Sequence, residues 1–237
     1  LALQNSPHGA ILSDINRSAP DRNLYEEMIF MAANAKAVTG DAGAKHQNKA
    51  VMRVVYVGLF AALSYVVFTF LQIKIYVGAD ATSFHLGNAV VAIGALLIGG
   101  FWGGLGGAIG MTIGDLLDPV YVVYAPKTFI CKLLIGLVTG LVGHKVLKIQ
   151  DEKNGKTLVW KTIVASACGL GINIIADPGL GYIYKRLILG KSAADAIFSL
   201  NLLTTSVNAG LSVIVTVIVY LAVRKPLAKA GLLPNLD

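Results

Sequence analysis

Residues 53–75 read RVVYVGLFAALSYVVFTFLQIKI, a run whose only charges are Arg53 and Lys74. About 20 consecutive apolar residues cross the hydrocarbon of a bilayer as a helix. This run meets that length, so the chain must be judged as a membrane protein before anything else. Five further apolar blocks follow: 84–100 (FHLGNAVVAIGALLIGG), 102–117 (WGGLGGAIGMTIGDLL), 127–147 (KTFICKLLIGLVTGLVGHKVL), 159–176 (VWKTIVASACGLGINIIA) and 199–223 (SLNLLTTSVNAGLSVIVTVIVYLAV). The expected fold is an all-α integral membrane bundle of six transmembrane helices.

Bulk composition agrees. Of 237 residues, 55% are hydrophobic and only 14% are charged. The mean hydropathy is +0.68. A soluble domain carries about 25% charged residues, so too few remain here to cover a soluble surface. The net charge of +7 sits in the connections between apolar blocks. It therefore reads as topology signal and anchor to anionic lipid rather than as a nucleic-acid surface. The two cysteines, Cys131 and Cys168, lie inside apolar runs, which argues against a disulfide framework, and no Cys/His cluster has metal-ligand spacing.

Residues 1–50 differ in kind, being polar and turn-rich, with five basic and five acidic residues. They read as a flexible tail in which Tyr25–Lys36 can form a short amphipathic helix. The tail lacks a secretory signal pattern. The chain opens on Leu1, with Met28, Met31 and Met52 as alternative starts, and no function is assigned to the tail. The membrane domain then spans 51–228, and 229–237 forms a cytoplasmic C-terminal tail.

Charge bias orients the bundle with both ends inside. In that arrangement eleven cations (Lys45, Lys49, Arg53, Lys145, Lys148, Lys153, Lys156, Lys161, Arg224, Lys225 and Lys229) lie on the inner side. Six (Lys74, Lys127, Lys132, Lys185, Arg186 and Lys191) lie outside, beside five aspartates. The inner turn at Gly99–Gly104 is almost absent. The outer segments Tyr76–Ser83, Asp118–Lys127 and Asp177–Ala196 are long and rich in Tyr, Pro and Asp. Such residues suit a lid or binding surface, and some of the tyrosines also suit an interfacial belt.

Two kinds of residue stand out within the spans. Gly103, Gly106, Gly107, Gly110 and Gly114 form a smooth ridge for close helix approach, and Gly58, Ala61, Ala62 and Ser64 form a second small-residue stripe. Asn88, Asp115, Lys132, Asn173, Asn201 and Asn208 are polar residues inside or at the ends of apolar runs. Charged or strongly polar side chains there must face the bundle interior or a wet cavity, and most of these fall in the outer half. Internal hydrogen bonding explains any single Asn equally well, and Asp115 can pair with Lys132. His85 lies one turn before Asn88 on the same face. The pair Asp115/Asp118 admits a different reading, a small metal-dependent intramembrane phosphotransferase, although the further acidic pair such enzymes show is missing. The triplets Gly155-Lys156-Thr157 and Gly190-Lys191-Ser192 have Gln150 and Lys185 where a phosphate loop needs its first glycine, so neither binds a nucleotide.

The order of these features resembles a known family over about residues 52–228. The features are six helices with both ends inside, the run His85-Leu86-Gly87-Asn88, and the turn Gly99-Gly100-Phe101-Trp102-Gly103-Gly104-Leu105-Gly106-Gly107. After these come Asp115–Asp118, Tyr124-Ala125-Pro126-Lys127, the helix KLLIGLVTG at 132–140, and Gly181-Tyr182-Ile183-Tyr184. The pattern is similar to the S component, or substrate-binding subunit, of energy-coupling factor (ECF) vitamin transporters of prokaryotic cell membranes. The resemblance implies a multi-pass subunit that is not an enzyme, has no cofactor and binds a vitamin at its outer face. It further implies docking to a transmembrane coupling subunit served by two ATP-binding cassette ATPases. It implies a substrate site drawing on His85, Asn88, Tyr121, Tyr124, Lys127, Tyr182, Tyr184 and Asn201, and a docking stripe at Gly58, Ala61 and Ala62. The stripe begins with Gly where the family has Ala, and the fifty-residue tail is untypical. Cobalamin leads the candidate vitamins on the length of the outer loops, with pyridoxine, a hydroxymethylpyrimidine and pantothenate open.

Overall fold

The structure, a computed structural model, describes residues 22–78, 80–188, 190 and 194–233. The chain divides into two compact units, Leu1–Ala50 and Val51–Asp237. Among the described residues the chain forms six α-helices: α1 (Arg22–Phe70), α2 (Gly87–Ile98), α3 (Gly100–Leu116), α4 (Ala125–Gly140), α5 (Gly155–Ile183) and α6 (Ala194–Lys229). Between α1 and α2 lies an antiparallel hairpin of β1 (Gln72–Val77) and β2 (Asp80–His85).

The hairpin corrects two expectations, that the first helix runs to Ile75 and that Tyr76–Ser83 is a loop. After Phe70 the pattern changes from helical to alternating, with Ile73, Ile75 and Val77 interleaved with Gln72, Lys74 and Tyr76. β-branched and aromatic residues at period two favour a strand. Val77 pairs with Asp80 across a two-residue loop, and Gly78 there adopts φ 62°, a left-handed backbone that glycine enters without steric cost. Hydropathy alone cannot see this break, because the strand is nearly as apolar as the helix before it.

Among the described residues, four helical segments are long and apolar enough to cross a membrane: Ala50–Phe70, Val122–Val146, Gly155–Leu187 and Ile197–Lys229. The chain is a multi-pass membrane protein. The second block starts at Gly87, not at 84, and makes a helix of only 12 residues, about 18 Å long. Its apolar character has another cause. All of α2 except Val90 is buried, because the helix sits inside the bundle against α3, α4 and α6. The third helix, at 17 residues, is also shorter than the long four. The turn between α2 and α3 is the single residue Gly99, at φ 95°, a conformation open only to glycine.

At the other extreme, α5 continues to Ile183 and then into a wider turn, Tyr184–Ile188. Asp177-Pro178 had suggested a loop from Asp177 onward. A proline removes one backbone hydrogen bond, but here it lies inside the helix, and the chain beyond it keeps its helical course. The stretch expected to be a flexible tail is helical from Arg22 on, and residues 1–21 lie outside the described residues.

The glycine ridge of α3 is what lets the helices close on each other. A Cβ placed on Gly103 would lie 2.1 Å from the backbone of Gly94 in α2, and one on Gly110 would lie 2.0 Å from the Ala61 carbonyl of α1. A Cβ on Gly136 of α4 would lie 2.2 Å from Gly104. One helix thus meets three neighbours at backbone distance, as small-residue motifs allow. Ala61 is spent on this internal contact, whereas Gly58 and Ala62 on the same helix remain exposed. Two apolar layers fill the bundle: Phe60, Leu96, Ile149 and Tyr220 at the Gly99 end, and Phe68, Met111, Ile135 and Leu170 in the middle. Gly103→Ala is therefore expected to destabilise the protein by about 1–3 kcal/mol, the usual cost of overpacking. Gly171→Ala, with nothing within 4 Å, should be silent when both are compared by thermal unfolding in the same detergent.

Candidate functional site

The polar side chains converge at the hairpin end of the bundle. A pocket there holds about 650 Å³ of atom-free space, counting its open mouth. Its walls come from β2 (Ala81, Thr82, Ser83, His85), from α3 and α4 (Asp115, Lys127, Thr128, Lys132), and from α5 and α6 (Asp177, Gly181, Asn201, Thr204, Asn208).

Asp177 lies within α5 and faces α4. Lys127 and Lys132 lie five residues apart on α4, and both reach this carboxylate. Lys127 Nζ donates to Asp177 Oδ1 at 2.5 Å and Lys132 Nζ to Oδ2 at 2.9 Å. Lys132 thus pairs with Asp177 rather than with Asp115. Asp115 is instead the acceptor for the Thr128 hydroxyl. Charges in an apolar bundle persist only when paired and hydrogen-bonded; Asp177 meets that condition through its two lysines, whereas Asp115 has the Thr128 hydroxyl and no ion pair among the described residues.

The opposite wall is the hairpin, held by polar contacts along its length. Asp80 accepts from the Tyr124 hydroxyl at 2.5 Å and pairs with Lys185 Nζ at 3.5 Å. Thr82 and Thr204 share a 2.7 Å hydrogen bond. Asn208 uses both ends of its amide: Nδ2 donates to the Ser83 carbonyl at 2.9 Å, and Oδ1 accepts from the His85 backbone N–H at 3.1 Å. At the hairpin's rim Lys74 bonds to Asp118 and lies over the Tyr121 ring, 5.3 Å from its centroid. Burial pushes the Tyr121 phenol up to about 12, so it stays protonated at any physiological pH.

Of the residues expected at the site, His85, Tyr121, Tyr124, Lys127 and Asn201 line this pocket. Asn88, the second residue of α2, is buried with its Oδ1 unpartnered among the described residues, and does not line the cavity. Tyr184 packs edge-on to Tyr124 and faces a separate apolar groove with Val122, Val123 and Phe129. Tyr182 turns away to Phe198 and to Arg186, whose guanidinium donates to its hydroxyl at 2.7 Å. The residues not anticipated as site residues are Asp115, Lys132, Asp177, Lys185, Thr82, Thr204 and Asn208. Three of these (Asp115, Lys132 and Asn208) carried a readable signal, being polar residues in apolar spans.

Asp115 and Asp118 do not act together. Asp118 is committed to Lys74 and to the Val120 backbone N–H at 3.0 Å, and Asp115 faces the pocket. Among the described residues, no group of three or more His, Cys, Asp or Glu could hold a metal ion.

With this geometry in hand, comparison with protein families decides the class. The profile of the family described as "ECF-type riboflavin transporter, S component" matches residues 48–225. The chain belongs to that family. S components are the substrate-binding membrane subunits of ECF transporters, so this chain is a transport subunit by family. No curated protein and no solved structure matches it.

The Lys74–Asp118 pair has a pH signature. Burial pushes the Asp118 carboxyl up, but the Lys74 ammonium and backbone N–H groups outweigh it and hold the group below the usual carboxylate range. The stability it lends is full above that range and is lost as pH falls through the lowered native value. Asp118→Asn should speed amide hydrogen exchange in Gln72–Val77 at neutral pH. The difference from the unmodified chain should shrink as the pH is lowered below the ordinary carboxylate range.

Proposed function

We propose that this S component captures a B vitamin in the pocket at the hairpin end and passes it to a transmembrane coupling subunit driven by two ATP-binding cassette ATPases. The observation that carries this reading is the pocket itself: one cavity in which α3, α4, α5, α6 and the hairpin converge their polar groups, within a largely apolar bundle.

The hairpin end faces outward and both chain ends face inward. The cation bias supports this, since Lys145, Lys148, Lys153, Lys156, Arg224 and Lys225 gather at the opposite end. The six helices then cross alternately, with α2 as a short, protein-enclosed crossing. Arg224 secures the inner end by donating to the carbonyls of Ile149, Gln150 and Glu152 at 2.7–3.2 Å. ATP is hydrolysed by the partner subunits, and no reaction is assigned to this chain.

Riboflavin, the vitamin in the family's name, is the leading substrate. Pyridoxine, a hydroxymethylpyrimidine and pantothenate stay in the candidate set. The long outer loops that favoured cobalamin are in good part a hairpin and a helix extension that wall the pocket in, and a corrinoid is several times larger than the other candidates. A calorimetric screen of these vitamins against the purified chain, without ATP, is expected to find one tight ligand. If no member of the screen binds, the capture reading is wrong.

Gly58 and Ala62 are exposed on α1, and we assign the coupling-subunit contact to them. Ala61 belongs to the edge of this stripe, half-buried against α3. Ala62→Trp should leave vitamin affinity unchanged and reduce uptake in cells by at least about tenfold, the effect of a misfitted side chain at a close helix contact. Full uptake by that variant would remove α1 from the docking face.

A further inference from the structure

The chain beyond α6 does not trail away directly as a free tail. Gly231 adopts φ 68°, the left-handed backbone that closes many helices. The Leu232 N–H then returns to the Leu227 carbonyl at 3.0 Å, and the Gly231 N–H to the Ala228 carbonyl at 3.1 Å. These two bonds are the paired closure that a glycine at this position permits. Leu227 and Leu233, on either side of the turn, pack against the apolar layer that holds Phe60 and Leu96. The turn also reaches α1, where the Tyr56 hydroxyl donates to the Leu232 carbonyl.

Tyr56 stands where α1 leaves the bundle. Residues 51–55 are all exposed, Tyr56 is half-buried, and Phe60, one turn on along the same face, is buried. Gly58 and Ala62 lie on the far side of the helix and are exposed. Backbone contacts at glycine set how closely α1 approaches: a Cβ on Gly106 would lie 2.9 Å from the Val57 carbonyl. A glycine, however, presents no side chain to oppose the turning of a helix about its own axis. A hydrogen bond does, because it is directional. On the inner side of Phe60, two directional contacts hold α1: the Tyr56–Leu232 bond, and Arg53 over the Trp102 ring at 5.7 Å. The rotation they set decides where Gly58 and Ala62 point, two and six residues further along the same helix.

We propose that Tyr56 and the turn at Gly231 are positioning elements for the coupling-subunit contact. The C-terminal turn clasps the inner end of α1 and fixes the direction in which Gly58 and Ala62 are presented. This rests on the docking reading above and deepens it. Neither Tyr56 nor the turn lines the vitamin pocket, so the clasp acts on docking and leaves capture alone.

The test measures association of the full chain, in nanodiscs, with the coupling subunit and its ATPases, and vitamin affinity beside it. Tyr56→Phe removes one hydroxyl and should weaken association about fivefold, the scale of one hydrogen bond. Gly231→Val places a β-branched residue at positive φ and should weaken it about tenfold through loss of the turn. Gly231→Asn, which tolerates that backbone, should restore association to within about twofold. The double variant Tyr56→Phe/Gly231→Val should be no weaker than Gly231→Val alone, because both break one contact. Vitamin affinity should hold throughout; a merely structural role would lower thermal stability and leave association intact. If Gly231→Val does not fold, Tyr56→Phe decides alone. Ala62→Trp is measured alongside. If it weakens association while Tyr56→Phe and Gly231→Val do not, the clasp is overturned and the docking reading stands. Additive losses in the double variant, or weaker vitamin binding in either single variant, also overturn the clasp. If Ala62→Trp associates normally, the docking reading fails and the inference with it.

Discussion

The Asp177 carboxylate lies between the ammonium groups of Lys127 and Lys132, and much else depends on that contact. It ties α4 to α5 near the hairpin end, across what would otherwise be an apolar seam. Two lysines and an aspartate in a membrane bundle are tolerable only as a set, because removing one leaves the others without compensation. The set requires the helical course of α5 to hold through Asp177, so that its carboxylate reaches α4, and the helix then runs on past Pro178 to Ile183. The same extension carries Gly181 and Lys185 to the pocket, and Lys185 reaches Asp80 on the hairpin. Hairpin, α4 and α5 are thus joined by one chain of paired charges.

Close packing at the Gly99 end complements this polar end. The glycines of α3 bring α1, α2 and α4 to backbone distance, and the apolar layers around Leu96 and Ile135 are closed. The bundle is dry and tight at one end and polar and open at the other. A subunit that must hold a ligand without leaking it needs that asymmetry.

The long apolar blocks made α1, α4, α5 and α6 legible in the sequence, and Gly103, Gly106 and Gly110 announced a close-packed third helix. What hydropathy could not resolve was where an apolar run changes its geometry. LQIKI reads as the end of a helix by composition and is a strand by its alternation. GNAVVAIGALLI reads as a full-length span facing lipid, and is a helix of only 12 residues enclosed by protein. The site was legible in part for the same reasons. His85, Tyr124, Lys127 and Asn201 reach the pocket because they stand at the polar ends of apolar runs. Asp177 and Lys185 were hidden by the reading of Asp177-Pro178 as a loop. Tyr182 and Tyr184 show the opposite failure, since a tyrosine near an interface serves packing as readily as binding.

The central claim is that a vitamin sits among Lys127, Lys132, Asp177 and Asn208 at the outer end of the bundle. Mass spectrometry of the small molecule that co-purifies with the chain tests it most directly, run in parallel on the chain carrying Lys132→Ala and Asn208→Ala. The account predicts a stoichiometric vitamin in the unmodified chain and its loss from the doubly substituted, still-folded protein. The same vitamin retained at full occupancy after both substitutions would contradict it.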